Sequence, residues 1–468
     1  MANMKSLYTN FPYPTEVHDV AKLYFADIEL CDDDCADVTV VEQQNGSVYN
    51  YTATCSGVVA TESVDTCSVS ELQAVRLRKR HAKLATYNLL VKLTGKRMLW
   101  GSLTGIRPTK LADQLTREGL DWQRAFVDVL GVSKSKTKLV ADVLATQGEL
   151  HTHKDGCADL YVGVPFCVTR CSYCSFTSGE LERLKKYVEP YVDALCKDID
   201  ATLVFAKQHG IRIDNVYFGG GTPTSLSAEQ LDKIMSHVTV QPIEYTVEAG
   251  RPDTIDKAKL DVFKKHGVHR ISINPQTFNQ QVLDTIGRKH TVAEIYDKYA
   301  LASEYGFAIN MDLIAGLPNE TYEMFCHSVD SAIALNPDNI TVHTLALKHG
   351  SVLREQNYAS VTDVTKMVEY SHQKLYAAGY LPYYMYRQKF MADNLENVGF
   401  CKPGKPCLYN IGIMEEISNI LACGTNAISK RIFSAENRIE RSANAKDVIS
   451  YIERNADYLD KKFQLFSK

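Results

Sequence analysis

The chain has 468 residues, 45% of them hydrophobic and 23% charged, with a formal net charge of −4, and the length implies two or three domains. The mildly acidic balance argues against a non-specific nucleic-acid binder. No stretch approaches the ~20 apolar residues that span a bilayer and the polar first residues lack a signal-peptide core, so a cytoplasmic protein without a membrane span is expected. Residues 38–44 and 47–55 flank Asn45-Gly46, a hairpin signal in an N-terminal α+β unit. A helix is expected from about 70 to 93, stopped by Gly95, with Arg76, Arg78, Lys79, Arg80 and Lys83 forming a solvated face. Gly105 and Pro108 then break the pattern before another helix, and the polar stretch 151–156 marks a domain boundary.

From residue 158 the rhythm changes. Short β-rich runs at 160–164, 215–218, 244–248, 270–273, 307–314 and 339–345 alternate with helix-length segments at 181–208, 227–237, 256–266, 292–305 and 322–335. Six such units predict an α/β fold with a parallel sheet, too few for a closed eight-stranded barrel and suited to a partial (β/α)6 barrel. Functional groups should gather at the C-terminal strand ends. The expected division is an accessory domain at 1–155, the barrel at 156–350 and a mainly helical C-terminal extension at 351–468.

The first of these strands runs into Cys167-VTR-Cys171-SY-Cys174. Thiolates are the usual ligands of iron–sulfur clusters, four being normal, so three would leave one iron open to an exogenous ligand. A zinc site and plain buried thiols are the other readings of the same spacing. The second strand ends in Gly219, Gly220, Gly221 and Thr222, where glycine allows close backbone approach. Glu248 and Gln276 end the third and fourth strands, Arg288 follows twelve residues later, and Asp312 lies in the fifth. Together they offer a carboxylate for an ammonium, a fork for a carboxylate and an acceptor for ribose hydroxyls. Among the remaining thiols, Cys31 and Cys35 read as free, while Cys401 and Cys407 flank a KPGKP turn that could hold a second site. His343, at the end of the sixth strand, faces the expected cavity.

The CxxxCxxC loop with Tyr173 before its last cysteine, followed by these strand-end motifs, resembles the radical S-adenosylmethionine superfamily. WGSLTGIRPTK at 100–110, YMYRQKFMADNLENVGF at 384–400 and YNIGIMEE at 409–416 are similar to the HemZ group of the oxygen-independent coproporphyrinogen III dehydrogenase family, which also contains HemN-type enzymes and HemW-type haem chaperones. The resemblance implies a [4Fe-4S] cluster on Cys167, Cys171 and Cys174. It also implies S-adenosyl-L-methionine held by Tyr161, Tyr173, Gly219–Thr222, Glu248, Gln276, Arg288 and Asp312, with Ala346 and Ile428 matching more loosely. Tyr161 and the three cysteines would be catalytic. The implied activity is that of a radical oxidoreductase which decarboxylates the propionates of coproporphyrinogen III to vinyls in haem biosynthesis, supplied by a low-potential donor such as flavodoxin or ferredoxin. Arg107, Lys110, Arg387 and Lys389, in the HemZ-like segments, and His343 are the expected contacts of a tetrapyrrole or haem. HemN-type enzymes carry a further cysteine two residues past the third ligand, where this chain has Phe176, as HemW-type chaperones also lack it. A haem-binding chaperone, or another radical tetrapyrrole enzyme such as a haem degrader, is the alternative.

Overall fold

A computed structural model describes residues 4–175, 179–348, 350–356, 358, 362–388, 391–436 and 438–468. Phe176 and Lys389 lie outside the described residues. The chain forms two compact units, one of residues 1–141 with 387–389, the other of 142–386 with 390–468.

In the first unit, β1 (Ser6–Thr9), β2 (Glu29–Leu30), β3 (Val38–Asn45), β4 (Val48–Cys55) and β5 (Val58–Asp65) form one sheet in the order β2-β1-β3-β4-β5. The β3–β4 hairpin turns at Gly46, whose φ of +62° suits glycine. The helix Glu71–Thr94 begins in a capping box between Ser70 and Gln73 and ends at Gly95 in the left-handed region. Its basic residues do not form the solvated face that their density suggested. Arg78 pairs with Glu42 at 2.5 Å, and Lys79 and Lys83 close on Glu16 at 3.2 and 2.6 Å. Their acidic partners lie on β3 and the first helix, far away in sequence.

The second unit is built on one 11-stranded sheet. Its centre is the six expected parallel strands in sequence order: β6 (Cys157–Val164), β9 (Arg212–Gly220), β10 (Glu244–Val247), β11 (Arg270–Ser272), β12 (Ala308–Ala315) and β13 (Asn339–Thr344). Between β6 and β9, two short strands, β7 (Phe166–Cys167) and β8 (Gly179–Glu180), pair across the cysteine loop. The central strands are buried along nearly their whole length, as strands covered on both faces are, although buried polar residues such as Asn215, Glu244, Arg270, Asn310 and Asn339 interrupt their apolar runs. The connecting helices start where side chains cap them: Ser227, Asp256, Thr291 and Thr321 each accept a backbone N–H of the first turn.

The C-terminal region departs from the mainly helical expectation. Beside its helices it contributes five strands, β14 (Leu381–Tyr386), β15 (Asn397–Cys401), β16 (Asn419–Cys423), β17 (Ile428–Phe433) and β18 (Arg438–Ala443), which extend both edges of the sheet. β16 adds parallel to β6, and β15 adds antiparallel to β13. Within the stretch expected to be helical, opposite charges meet across the β17–β18 ladder, where Arg431 stands opposite Glu440.

One buried carboxyl sets a pH dependence. Glu320, 2% exposed, accepts from Thr277 Oγ1 at 2.7 Å through Oε1, while Oε2 has no partner, and burial pushes its pKa up to about 8. A carboxyl whose folded pKa lies above its unfolded value binds more protons when folded. Its burial therefore becomes costly as pH rises from about 4.5 towards 8. Glu320→Gln is expected to raise stability by on the order of 2 kcal/mol at pH 8, a gain that closes towards pH 4.5. Urea melts at both pH values check this.

Candidate active site

The cysteine loop leaves β6 and is fastened on several sides. Thr222 N donates to Phe166 O at 2.8 Å and Gly221 N to Val164 O at 2.7 Å, so the ends of β6 and β9 are laced together. Ser172 N donates to Ile286 O at 3.0 Å and Leu353 N to Ser172 O at 3.1 Å. Cys171 is buried, whereas Cys167 and Cys174 are partly exposed. Among the described residues, the one trio of His, Cys, Asp or Glu ligand atoms all within 4.8 Å of one another is the exposed Asp33, Asp34 and Cys35. A zinc ion with bonds of ~2.3 Å holds its sulfurs ~3.8 Å apart. The three thiols of the loop are thus set wider than one zinc ion requires, which suits a larger body.

The glycines are demanded by what lies beside them. A Cβ on Gly219 would stand 3.1 Å from Glu248 Oε2, and one on Gly221 would stand 2.7 Å from Phe166 O and 3.0 Å from Cys167 Sγ. Gly220 has φ +111° and packs against the Val164 backbone. The ridge thus lies directly between the Cys167 thiol and the Glu248 carboxylate.

Register gathers the rest. Residues 215, 217 and 219 of β9 share a face with 244, 246 and 248 of the next strand. Tyr217 therefore reaches Glu248 and donates a hydrogen bond to it. Burial, reinforced by Asp312, pushes the Glu248 carboxyl up to about 7 against the lowering effect of the Tyr217 hydroxyl. Tyr161 stacks at 6.3 Å on both Tyr217 and Tyr409, and those two stack on each other at 4.1 Å. Across the sheet, Asp312 stands 3.7 Å from His343 Nε2, and the Tyr386 hydroxyl is 3.3 Å from His343 Nδ1. Arg288 is buried; it donates to Asn274 O at 2.5 Å and to the Tyr173 hydroxyl at 3.2 Å. Gln276 occupies φ +67°, a costly backbone for a side chain of its size, and is fixed by backbone bonds to Asp312 and Ile314.

The structure sets Gly219–Thr222, Glu248 and Gln276 at the carboxyl ends of their strands, joins Tyr173 to Arg288, and holds Tyr161 and Asp312 within β6 and β12. Ala346 bridges Met391 just past β13, and Ile428 is half exposed at the start of β17. Arg107, Lys110 and Arg387 belong to the first unit. Arg387 is 4% exposed there, its guanidinium 4.7 Å from the Trp100 ring centroid and donating to Leu103 O at 3.1 Å. Cys401 and Cys407 are buried thiols whose pKa values burial raises, which disfavours the thiolate a metal needs. Sequence reading passed over Tyr217, Tyr386 and Tyr409. No local pattern marks them, because their partners lie on neighbouring elements. A cavity of about 890 Å³ opens at the opposite strand ends. There Arg270 is consumed by Glu244, Asn310, Asn339 and the carbonyls of Lys405 and Pro406, so that end is a structural floor.

Residues 161–332 match the Radical SAM superfamily. The chain is 38% identical over 422 residues, 86% of its length and 84% of the relative's, to the oxygen-independent coproporphyrinogen-III oxidase-like protein HemZ of Bacillus subtilis. It is 28% identical to the heme chaperone HemW of Escherichia coli, over 66% of this chain and 80% of that one. Among solved structures it shares its fold with coproporphyrinogen III oxidase, HemN, of Escherichia coli, a radical SAM enzyme, at TM-score 0.51 and 22% identity, covering 67% of this chain and 72% of that one. The superfamily uses a [4Fe-4S] cluster and S-adenosylmethionine, and the residues here fit them. The three thiols are not all within 4.8 Å of one another, and the glycine ridge keeps room beside them. The buried Gln276 Oε1 and Arg288 Nε have no hydrogen-bond partner, so one acceptor and one donor are held ready for a polar ligand.

Proposed function

This chain belongs to the radical SAM superfamily and, within it, to the oxygen-independent coproporphyrinogen-III oxidase-like family, and from that premise we propose that it decarboxylates two propionates of coproporphyrinogen III to vinyls, giving protoporphyrinogen IX. The observation that carries the reading is the convergence of the three-cysteine loop, the glycine ridge and Glu248 on the carboxyl ends of β6, β9 and β10. The likeness to the HemZ relative extends well beyond the barrel, which supports a shared substrate class.

Cys167, Cys171 and Cys174 would hold the cluster, while the glycine ridge, Glu248, Gln276, Arg288 and Asp312 would hold the polar groups of the cofactor. When bound, these groups supply a reducing electron and a radical able to remove hydrogen from an unactivated carbon. The protein's own part is placement. Glu248, fixed by Tyr217, would meet the cofactor's ammonium, and that cation would draw its carboxyl back to the charged form. His343 and Tyr386 present donors beyond Asp312 where a propionate carboxylate would be met. The stacked Tyr161, Tyr217 and Tyr409 wall the barrel below, excluding water from a radical reaction. A low-potential donor such as flavodoxin or ferredoxin would reduce the cluster.

A second reading is a haem chaperone. It is favoured by Phe176, which stands where HemN-type enzymes carry a further cysteine, and by the similarity to HemW. Anaerobic reconstitution followed by reductant, S-adenosylmethionine and coproporphyrinogen III separates the two. Products lighter by one and two decarboxylations are expected by mass spectrometry. Their absence, together with tight haem binding, would overturn the dehydrogenase reading.

A further inference from the structure

We propose that Arg251 is a positioning residue for the cluster: it clamps Thr169, inside the three-cysteine loop, to Asp253 and so sets the shape in which the loop holds iron. This rests on the cluster reading above and adds to it a residue outside the ligand motif.

Arg251 lies in the loop after β10 and is 2% exposed. Its Nη1 donates to Thr169 Oγ1 at 2.7 Å and to Thr169 O at 3.2 Å. Its Nε and Nη2 fork onto the two oxygens of Asp253 at 3.0 and 2.8 Å. Burying a guanidinium is costly unless it is paired and fully hydrogen-bonded. Here one edge of the guanidinium is spent on Asp253 and the other on a loop residue lying between Cys167 and Cys171. Asp253 is two residues on, across Pro252, so the fork is closed locally and the remaining face of the guanidinium is aimed at Thr169. Lysine, with a single ammonium, cannot make both sets of contacts at once.

Thr169 passes the constraint on. Its hydroxyl accepts from Arg251 and donates to Gly287 O at 3.1 Å, so its rotamer is fixed from two sides. Gly287 in turn has φ +76° and lies against the Arg170 carbonyl. The loop carrying Arg251 also holds the glycine loop. Thr254 Oγ1 donates to Arg251 O at 2.8 Å and is 2.6 Å from Thr224 Oγ1. Lys259 Nζ donates to both Thr224 O and Thr254 O, at 2.9 and 2.8 Å. Arg251 therefore sits where three loops meet: the cysteine loop, the glycine loop and the segment leading to Arg288.

Two consequences differ in kind. Without the clamp, the cysteine loop must be ordered by the cluster itself, which weakens retention; removing such supporting partners usually costs ~10–100-fold in metal affinity. Separately, removing the guanidinium takes one positive charge from the loop network around a body that gains negative charge on reduction, and leaves Asp253 only Arg288 and His290 as neighbouring bases. The reduced state is then disfavoured and the midpoint potential falls.

The test uses the anaerobically reconstituted full chain, with Arg251→Gln, Arg251→Lys and Thr169→Val beside the parent. Iron per chain, the rate of cluster loss to a chelator and the midpoint potential are read. Arg251→Gln should lose its cluster ~10-fold faster or more, at a lowered potential. Arg251→Lys should recover the potential more fully than the retention, and Thr169→Val, which keeps the buried ion pair, should speed loss with little change in potential. Parent-like loss and potential in Arg251→Gln would overturn the inference while leaving the cluster reading intact. If Arg251→Gln fails to fold, Thr169→Val decides: parent-like loss there overturns it. A parent that takes up no iron would instead sink the cluster reading itself.

Discussion

Replacing Cys171 with Ala is expected to reduce cluster-bound iron to under about a tenth of the parent value while the fold survives, because two thiolates cannot hold a four-iron body that three already hold with one corner open. Cys171 is the buried member of the trio, and its neighbours make it more than a ligand. The buried Arg288 guanidinium lies beside it, and against the cost of burial Tyr173 and Cys171 favour its charged form. In Cys171→Ala that partner is lost, and the pocket should lose S-adenosylmethionine affinity as well as iron. The cavity left by one sulfur atom costs only about 1 kcal/mol, so the melting temperature of the apoprotein should move by a few degrees at most. Iron analysis, the visible absorption of the reconstituted protein and a thermal melt, read on one preparation, check all three. Full iron content in this variant would mean that the loop is not the cluster site.

The central strands were legible because each is a short β-rich run set between helix-length segments, and the helix Tyr322–Leu335 was legible to the residue. Thr321 caps its start and Asn336 takes a left-handed conformation at its end, both local facts of sequence. What sequence misjudged was set by partners far along the chain. Arg78 looks solvated until Glu42, 36 residues away, is brought beside it. The charges of β17 and β18, in a region expected to be mainly helical, become a ladder only once the hairpin closes. The candidate site divides in the same way. Three cysteines and three glycines announce themselves through spacing, since one loop must wrap one object. Tyr217 carries no such mark; its meaning comes from Glu248 on the neighbouring strand, 31 residues on. Arg251 is equally silent, because a charged residue in a loop reads as surface until Thr169 is packed against it.

Gly220→Ala should be strongly damaging for a single added methyl, lowering stability by roughly 3 kcal/mol and removing measurable S-adenosylmethionine binding. Two costs add there. At φ +111° an alanine is strained whatever surrounds it, and its Cβ would stand 2.8 Å from Val164 O and 3.0 Å from Val164 N. Those atoms belong to the backbone of β6, which cannot rotate out of the way as a side chain could. Relief requires the ends of β6 and β9 to part, and these ends deliver Cys167 on one side and the glycine ridge on the other. Gly210→Ala is the matched control. Gly210 also has positive φ, +65°, but nothing lies within 4 Å of its Cβ position, so only the backbone term of ~1 kcal/mol applies. Urea melts of both variants isolate the packing contribution as the difference between them. Equilibrium dialysis with S-adenosylmethionine then shows whether the loss is local: Gly210→Ala should bind as the parent does. Equal effects from the two alanines would show that the close approach of β6 to the glycine ridge is not what shapes the cofactor site.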